Sequence, residues 1–248
     1  GITTVGNRAT GVRLHTDDGH VEELRADIVV SAADLHHTET RLLPKSKRTY
    51  NESWFAPRDP GLGTVLVMLG VEGEIPQLAH HNFLFSDDWS DDFDAVFNGP
   101  VASRPQAASQ SIYVSKPSAT DPSVAPAGHE NLFVLVPVPA DPSVGHGDMY
   151  RGEASEQVQR IADAAIEQIA SRCGVAGLGR RIVVKQTLGP ADFAERYHAW
   201  SGGSIGPAHT LRQSAFLRGS NKSRKVESLM YAGATTTPGV GVPMCLIS

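Results

Sequence analysis

Four places in this sequence bring together residue types that could do chemistry. The most suggestive comes last. Leu229-Met230-Tyr231-Ala232 is an apolar run that leads into Gly233-Ala234, then small residues through Pro238-Gly239, then Gly241-Val242-Pro243-Met244. Glycine lets a ligand approach the backbone closely, and proline suits the first turn of a helix because it has no N–H to lose there. The pattern predicts a strand, a tight loop and a helix whose free N–H groups face outward, suited to an electron-rich oxygen of a cofactor. An ordinary strand–loop–helix connection has the same spacing, so spacing alone leaves both readings open.

The other three places are decoys. Gly202-Gly203-Ser204-Ile205-Gly206 fits the G-x-S-x-G nucleophile pattern, which needs a buried strand before the serine and a helix after it. Glu195 to Trp200 reads instead as helix, and Pro207 follows directly. His36-His37 and His80-His81 invite a metal reading, but neighbours on a strand point to opposite faces, and no third ligand stands at a suitable spacing. Asp87, Asp88, Asp91, Asp92 and Asp94 lack the spacing and central glycine of a calcium loop and read as a solvated helix start. No metal site is expected.

The elements that must position the last segment can be read from periodicity. Gly11 to Ala32 predicts three short strands, with a turn at Asp17-Asp18-Gly19 and a buried run at Asp27-Ile28-Val29-Val30. A helix follows from Asp34 to Leu43, capped by Asp34 and stopped by Pro44. Strands are expected at 64–69, 81–85, 112–114 and 132–138, with a surface loop over 102–110 and an ordered turn region over 117–128. Ser155 to Arg172 is the clearest helix, with Val158, Ile161, Ala162, Ala165 and Ile169 on one face and Gly174 as its stop. A strand at 182–186 and a helix at 191–200 complete the list, giving a mixed α/β and α+β chain.

Composition narrows the class. The net charge of −5, with no basic arm, argues against nucleic acid as a partner. Cys173 and Cys245 are too far apart in sequence to suggest a metal pair, and a cytoplasmic setting fits them. The longest apolar stretch, Leu132 to Ala140, contains two prolines and falls far short of the roughly 20 residues of a membrane span. Gly1 opens inside a predicted strand and Ser248 closes one turn into a predicted helix, so both ends read as cuts.

Leu229 to Ser248 resembles the C-terminal flavin-binding segment of the bacterial-type phytoene desaturases, in the amine-oxidase-like flavoprotein superfamily. The resemblance extends to Val29-Val30-Ser31-Ala32-Ala33-Asp34, Ala79-His80-His81-Asn82-Phe83, Ser111-Ile112-Tyr113-Val114, Leu135-Val136-Pro137-Val138-Pro139 and Gly206-Pro207-Ala208-His209. It implies a Rossmann-like FAD-binding domain with an inserted, sheet-based substrate domain. Residues 1–45 and 201–248 would belong to the first and 46–200 to the second. Carried over by position, Gly233 and Ala234 would lie near the ribityl–pyrophosphate part of FAD. Gly239 would stand in the loop, and Gly241, Val242, Pro243 and Met244 near the flavin ring.

The implied reaction is FAD-dependent desaturation of a C40 carotenoid such as phytoene, at a peripheral membrane surface, with quinone or O₂ as the final acceptor. A carotenoid isomerase, a retinol-saturase-like flavoprotein or a non-catalytic lipid- or cofactor-binding module are the alternatives. Trp54, Phe55, Trp89 and Phe93 are candidate residues for the membrane-facing lip. Two departures matter. Ser109 and Gln110 stand where some members place an acidic residue, so no general base can be transferred and no catalytic side chain is assigned. No strand followed by G-x-G-x-x-G occurs: Gly174 to Gly179 has the wrong spacing and reads as loop. The pyrophosphate loop is therefore expected upstream of Gly1, and the chain by itself is expected to hold FAD weakly.

Overall fold

The computed structural model describes residues 1–16 and 18–248. Along the chain run β1 (Ile2–Val5), β2 (Arg8–His15), β3 (Val21–Arg25), β4 (Val29–Ser31), α1 (Leu35–His37), α2 (Glu52–Phe55), β5 (Leu62–Glu72) and β6 (His81–Leu84). Then come α3 (Trp89–Phe97), β7 (Ile112–Ser115), β8 (His129–Pro139), α4 (Glu156–Arg172), α5 (Leu178–Arg181), β9 (Ile182–Leu188), α6 (Pro190–Arg196), β10 (Leu229–Tyr231) and α7 (Val242–Ile247). They form two compact units: Gly1–Gly61 with Arg196–Trp200 and Ile205–Ser248, and Leu62–Glu195 with Ser201–Ser204. The first unit thus continues to Gly61, where the sequence suggested a change of domain at 45.

The larger unit is an antiparallel five-stranded sheet in the order β6-β7-β8-β5-β9. Burial alternates along its two long central strands. Val65, Val67, Leu69 and Val71 of β5 and Leu132, Val134, Val136 and Val138 of β8 are buried, while Leu66, Met68, Phe133 and Leu135 between them are half-buried. A period of two sends these sets to opposite faces. The buried face packs beneath α4, whose Val158, Ile161, Ala162, Ala165, Ile166 and Ile169 form the facing stripe. Gly174 ends that helix region at φ +68°, a conformation that suits glycine. Pro137 and Pro139 lie beyond Leu135, the last residue of β8 in register with β7. There no strand lies on the β7 side, where a missing N–H is tolerated, and the Pro137 carbonyl accepts from Ser109 N–H at 2.9 Å.

The smaller unit combines a β1-β2-β3 antiparallel meander with a parallel β4–β10 pair, joined by a core that includes Ile2, Ala9, Val29, Leu35, Leu229 and Tyr231. Of the turn expected at 17–19, Asp17 lies outside the described residues. Asp34 caps α1 as its sequence position suggests, accepting from the N–H groups of His36 and His37, but the helix widens into a π turn over Thr38–Leu42.

Four expectations need correction. The 102–110 segment is not simply a surface loop, because Arg104, Ala107 and Ser109 are buried. The acidic cluster is not wholly solvated. Asp88 caps α3, but Asp92 is buried on the same helix, where its carboxylate accepts from Arg104, Gln110 N–H, Ser86 and Ser111. Residues 178–181 within the glycine-rich 174–179 region and its continuation form a helical turn, α5. Trp54 and Phe55 are no lip: Phe55 is buried, and Trp54 packs against Tyr50 and Phe55 with the Arg58 guanidinium 3.4 Å from its ring centre.

Candidate functional site

In the smaller unit β4 and β10 run parallel, with Leu229, Met230 and Tyr231 in register with Val29, Val30 and Ser31. The Ala232 N–H continues the pairing to the Ser31 carbonyl at 3.0 Å. The carboxyl ends of the two strands therefore lie side by side, and each leads toward a helix. That edge is where open parallel α/β sheets bind their ligands.

The first of these turns is held by Asp34. Its Oδ1 accepts from His36 N–H at 2.8 Å, and its Oδ2 from Trp200 N–H at 3.2 Å. Burial pushes the Asp34 carboxyl above its ordinary range, against the lowering effect of the N–H groups of Trp200, His37 and His36. Behind it, Glu39 receives the Tyr231 hydroxyl on one carboxylate oxygen and the Tyr50 N–H at 3.0 Å on the other. This interior contact ties the π turn after α1 to the end of β10. Ser31 and Thr38 hydroxyls add a 2.7 Å bond at the same level.

The second turn is the 232–241 loop. Gly233, Gly239 and Gly241 adopt φ of +111°, +141° and +113°, in the region that glycine occupies readily and other residues do not. The loop is pinned from within its own unit. Arg218 Nη2 donates to the Ala234 carbonyl at 2.9 Å, Thr235 Oγ1 accepts from Leu35 N–H at 3.1 Å, and Asn221 Nδ2 donates to the Thr237 carbonyl at 2.6 Å. Gly241 precedes α7 with Pro243 in the first turn and no side-chain cap, and the first bond of the helix runs from Cys245 N–H to the Gly241 carbonyl at 2.8 Å. The N–H groups of that first turn have no partner inside a helix, as at any helix start.

A Cβ built on Gly241 would meet nothing within 4 Å, while Val242, Leu246 and Ile247 are 76%, 82% and 70% exposed. A rigid, glycine-specified backbone beside uncovered apolar side chains fits the broad face of a flat cofactor. The structure thus brings Gly233, Ala234, Gly239, Gly241, Val242, Pro243 and Met244 onto one pinned loop and short helix. A cavity of about 1120 Å³ in this unit is lined by residues of the β1-β2-β3 meander and 41–44 and includes none of them.

The larger unit contributes a surface of a different kind. On the sheet face away from α4, Leu66 is in register with Leu135, Leu135 with Tyr113, and Tyr113 with Phe83. This row crosses four strands without a charged group. A shallow cavity of about 460 Å³ opens on the same sheet, lined by Met68, Phe133, Val184 and Gln186 among others.

The decoys resolve into structure. Both the N–H and the hydroxyl of Ser204 bond the Leu62 carbonyl, at 3.0 and 3.2 Å, and a short 3-10 turn over Trp200–Gly202 precedes it in place of a strand. His36 bonds Glu52, and His37 stacks on His198 at 4.0 Å. The opposite-face expectation fails for His80 and His81, whose rings lie 4.3 Å apart because β6 begins only at His81. They bond separate hydroxyls, Thr120 and Tyr113, each at 2.7 Å. Among the described residues no group of three or more His, Cys, Asp or Glu could hold a metal ion.

Sequence reasoning passed over Glu39 with Tyr231, whose partnership spans 192 residues, and Phe83, Phe85 and Phe97. The aromatic spacing i, i+2 on a strand and i, i+4 on a helix was the available signal for the latter.

Known proteins bear on these features. No family model matches the chain. It is 42% identical over 247 residues to a carotenoid 3,4-desaturase of Haloarcula japonica, covering 100% of this chain and 47% of that protein. Identity is 33% to a zeta-carotene-forming phytoene desaturase of Myxococcus xanthus, with 100% of this chain and 44% of that protein covered. It is 32% to a 4,4'-diapophytoene desaturase of Staphylococcus aureus, at 90% and 43%. An oxidoreductase from Methanosarcina mazei shares the fold at a TM-score of 0.53 and 15% identity, over 98% of this chain and 45% of that one. The chain spans about half the length of the curated relatives it matches, and along its whole length it is a homologue of the carotenoid desaturases.

Proposed function

We propose that this chain supplies the flavin-covering loop and a substrate-facing sheet of an FAD-dependent carotenoid desaturase acting in carotenoid biosynthesis. In this reading the smaller unit is part of a Rossmann-like FAD domain and the larger one a substrate domain. The observation that carries the proposal is the uncharged row Leu66–Leu135–Tyr113–Phe83 on the open sheet face. A C40 polyene has no charge or polar handle, so only shape and apolar contact can align it. Similarity over 90–100% of this chain to three carotenoid desaturases supports the same substrate class.

The residues of the smaller unit would hold FAD by backbone. Gly233 and Ala234 would lie toward the ribityl–pyrophosphate part, and Gly239, Gly241, Val242, Pro243 and Met244 toward the ring system. FAD when bound would accept a hydride from an allylic carbon while the neighbouring carbon loses a proton, leaving a new C=C bond. The chain's own part is then to orient and to exclude water. Arg218 and Asn221 fix the loop carbonyls, and the exposed apolar side chains of α7 would shield the region from water once a cofactor covers them. Quinone or O₂ would take the electrons onward. The substrate's insolubility would put the work at a membrane surface, where Trp89 and Phe93, 50% and 56% exposed, are free to meet the polyene. No described helix is long and apolar enough to cross a membrane.

The test is anaerobic bleaching of protein-bound flavin in the full-length protein on adding phytoene in neutral vesicles. Loss of the oxidised flavin band supports the proposal. A flavin-loaded protein whose spectrum does not change with phytoene or with more desaturated carotenes overturns it.

A further inference from the structure

Six aromatic rings of the larger unit form one continuous series. Tyr113 and Phe83 pair across β7 and β6 with ring centres 5.2 Å apart. Phe83 and Phe85 follow at 5.9 Å with planes 7° apart, Phe85 and Trp89 at 5.3 Å, Trp89 and Phe93 at 6.3 Å, and Phe93 and Phe97 at 6.2 Å. From Phe83 to Phe97 every one of them is 44–63% exposed. Phe83 of β6 and Phe85, just past its end, lie with nearly parallel rings, and i+4 spacing lines up Trp89, Phe93 and Phe97 along about 12 Å of α3.

The series has a firm mount. On its other side α3 buries Asp92, Ala95 and Val96, and Ser86, beside Phe85, donates to the Asp92 carboxylate at 2.7 Å. The Phe85 carbonyl accepts from Arg172 of α4 at 2.7 Å. Large apolar rings left in a row on a rigid support mark an interaction surface more than a folding accident.

Two observations identify what would lie there. The series is continuous with the open sheet face, since Tyr113 is in register with Leu135 and Leu135 with Leu66. The rings carry no charge and α3 has acidic but no basic residues, which disfavours an anionic lipid surface and leaves an uncharged occupant. Ring faces repeated at stacking distance suit the double bonds and methyl branches of an isoprenoid chain better than a saturated acyl chain, and the more so as conjugation stiffens it.

We infer that the Tyr113–Phe97 series is a second binding track for the polyene, leading along α3 onto the sheet face. The inference rests on the carotenoid reading above and names where that substrate first binds.

The test uses the full-length protein and the double variant Phe85→Leu/Phe93→Leu, which keeps apolar bulk and removes two π faces. Phytoene turnover is measured in neutral phosphatidylcholine vesicles. We expect KM to rise about three- to tenfold, as for the loss of two aromatic contacts, with kcat within about twofold. Melting temperature, flotation on polyene-free vesicles and oligomeric mass should not change. A second readout does not depend on turnover: ζ-carotene should quench a tryptophan signal that Trp89→Phe abolishes, and the double variant should need more ζ-carotene to do so.

Unchanged KM and unchanged quenching in the double variant would overturn the track. So would loss of flotation on empty vesicles, which means membrane contact, or a change in mass, which means a second copy covers the rings. A wild type that binds ζ-carotene at Trp89 but converts no carotene would count against the desaturase reading while leaving the track in place.

Discussion

Asp92 on α3 and Arg104, twelve residues later, form an ion pair at 2.8 Å with both side chains only 7% exposed. Its setting is complete. Asp92 Oδ1 also accepts from Gln110 N–H at 3.0 Å, and Oδ2 accepts from the hydroxyls of Ser86 and Ser111 at 2.7 and 2.6 Å. One carboxylate therefore fastens α3, the 102–110 segment, the end of β6 and the start of β7.

Breaking this pair should be costly, because Arg104 would be left buried without its partner. Asp92→Ala is expected to destabilise the larger unit by about 3–5 kcal/mol. Burial alone would raise the Asp92 carboxyl, but hydrogen bonds from Ser111, Ser86, Gln110 and Arg104 outweigh it and hold it well below the usual carboxylate range. A depressed native pKa gives stability that is present above the unfolded value, about 3.9, and lost as pH falls through the native one. Denaturant melts from pH 6 down to pH 2 should show an acid limb that is shallower in Asp92→Asn. Equal limbs in both proteins would contradict the assignment.

Glu39 predicts the opposite slope. Burial pushes its carboxyl up, only partly offset by the Tyr231 hydroxyl and the Tyr50 N–H. As pH rises, the unfolded chain ionises first, so this group's contribution is fullest below about pH 4.3 and declines toward the raised native value. Glu39→Gln removes the ionisation while keeping one acceptor oxygen, and the Tyr231 hydroxyl can turn to accept from the new amide. Stability of the variant, measured by denaturant melts, should therefore vary less than wild type between pH 5 and pH 8. A variant that follows the wild-type pH dependence would contradict this.

The cofactor loop makes a prediction that separates binding from folding. A side chain at Gly241 meets no neighbour in this chain, yet its φ of +113° is strained for any other residue, at about 1–3 kcal/mol. In the full-length protein Gly241→Val should lose flavin and give colourless product, with the fold intact by circular dichroism. Ser204→Ala should keep both flavin and activity, since Ser204 only bonds the Leu62 carbonyl. Activity lost in Ser204→Ala with flavin retained would reopen the nucleophile question.

Local signals in the sequence carried the elements well. The α4 stripe follows from Val158, Ile161, Ala162, Ala165 and Ile169 at helical spacing, and Asp34 caps α1 as its place after β4 suggests. Glycines 233, 239 and 241 could be picked out as special, and all three have positive φ. What could not be read locally depends on partners far along the chain. Asp92 looks solvated among four other aspartates until Arg104 and the serines are placed around it. Glu39 looks like an ordinary helix residue until Tyr231 arrives 192 positions later. Phe83 and Phe85 are ambiguous for a related reason: which strand face remains open is decided by where α4 packs.

The most direct test of the account is product analysis. The full-length protein with FAD, phytoene in neutral vesicles and a quinone acceptor should yield carotenes with more conjugated double bonds, seen as red-shifted absorption and a loss of two hydrogens per step by mass. A flavin-loaded, folded protein that returns phytoene and more desaturated carotenes unchanged in mass, even if altered in double-bond geometry, would contradict desaturation as its activity.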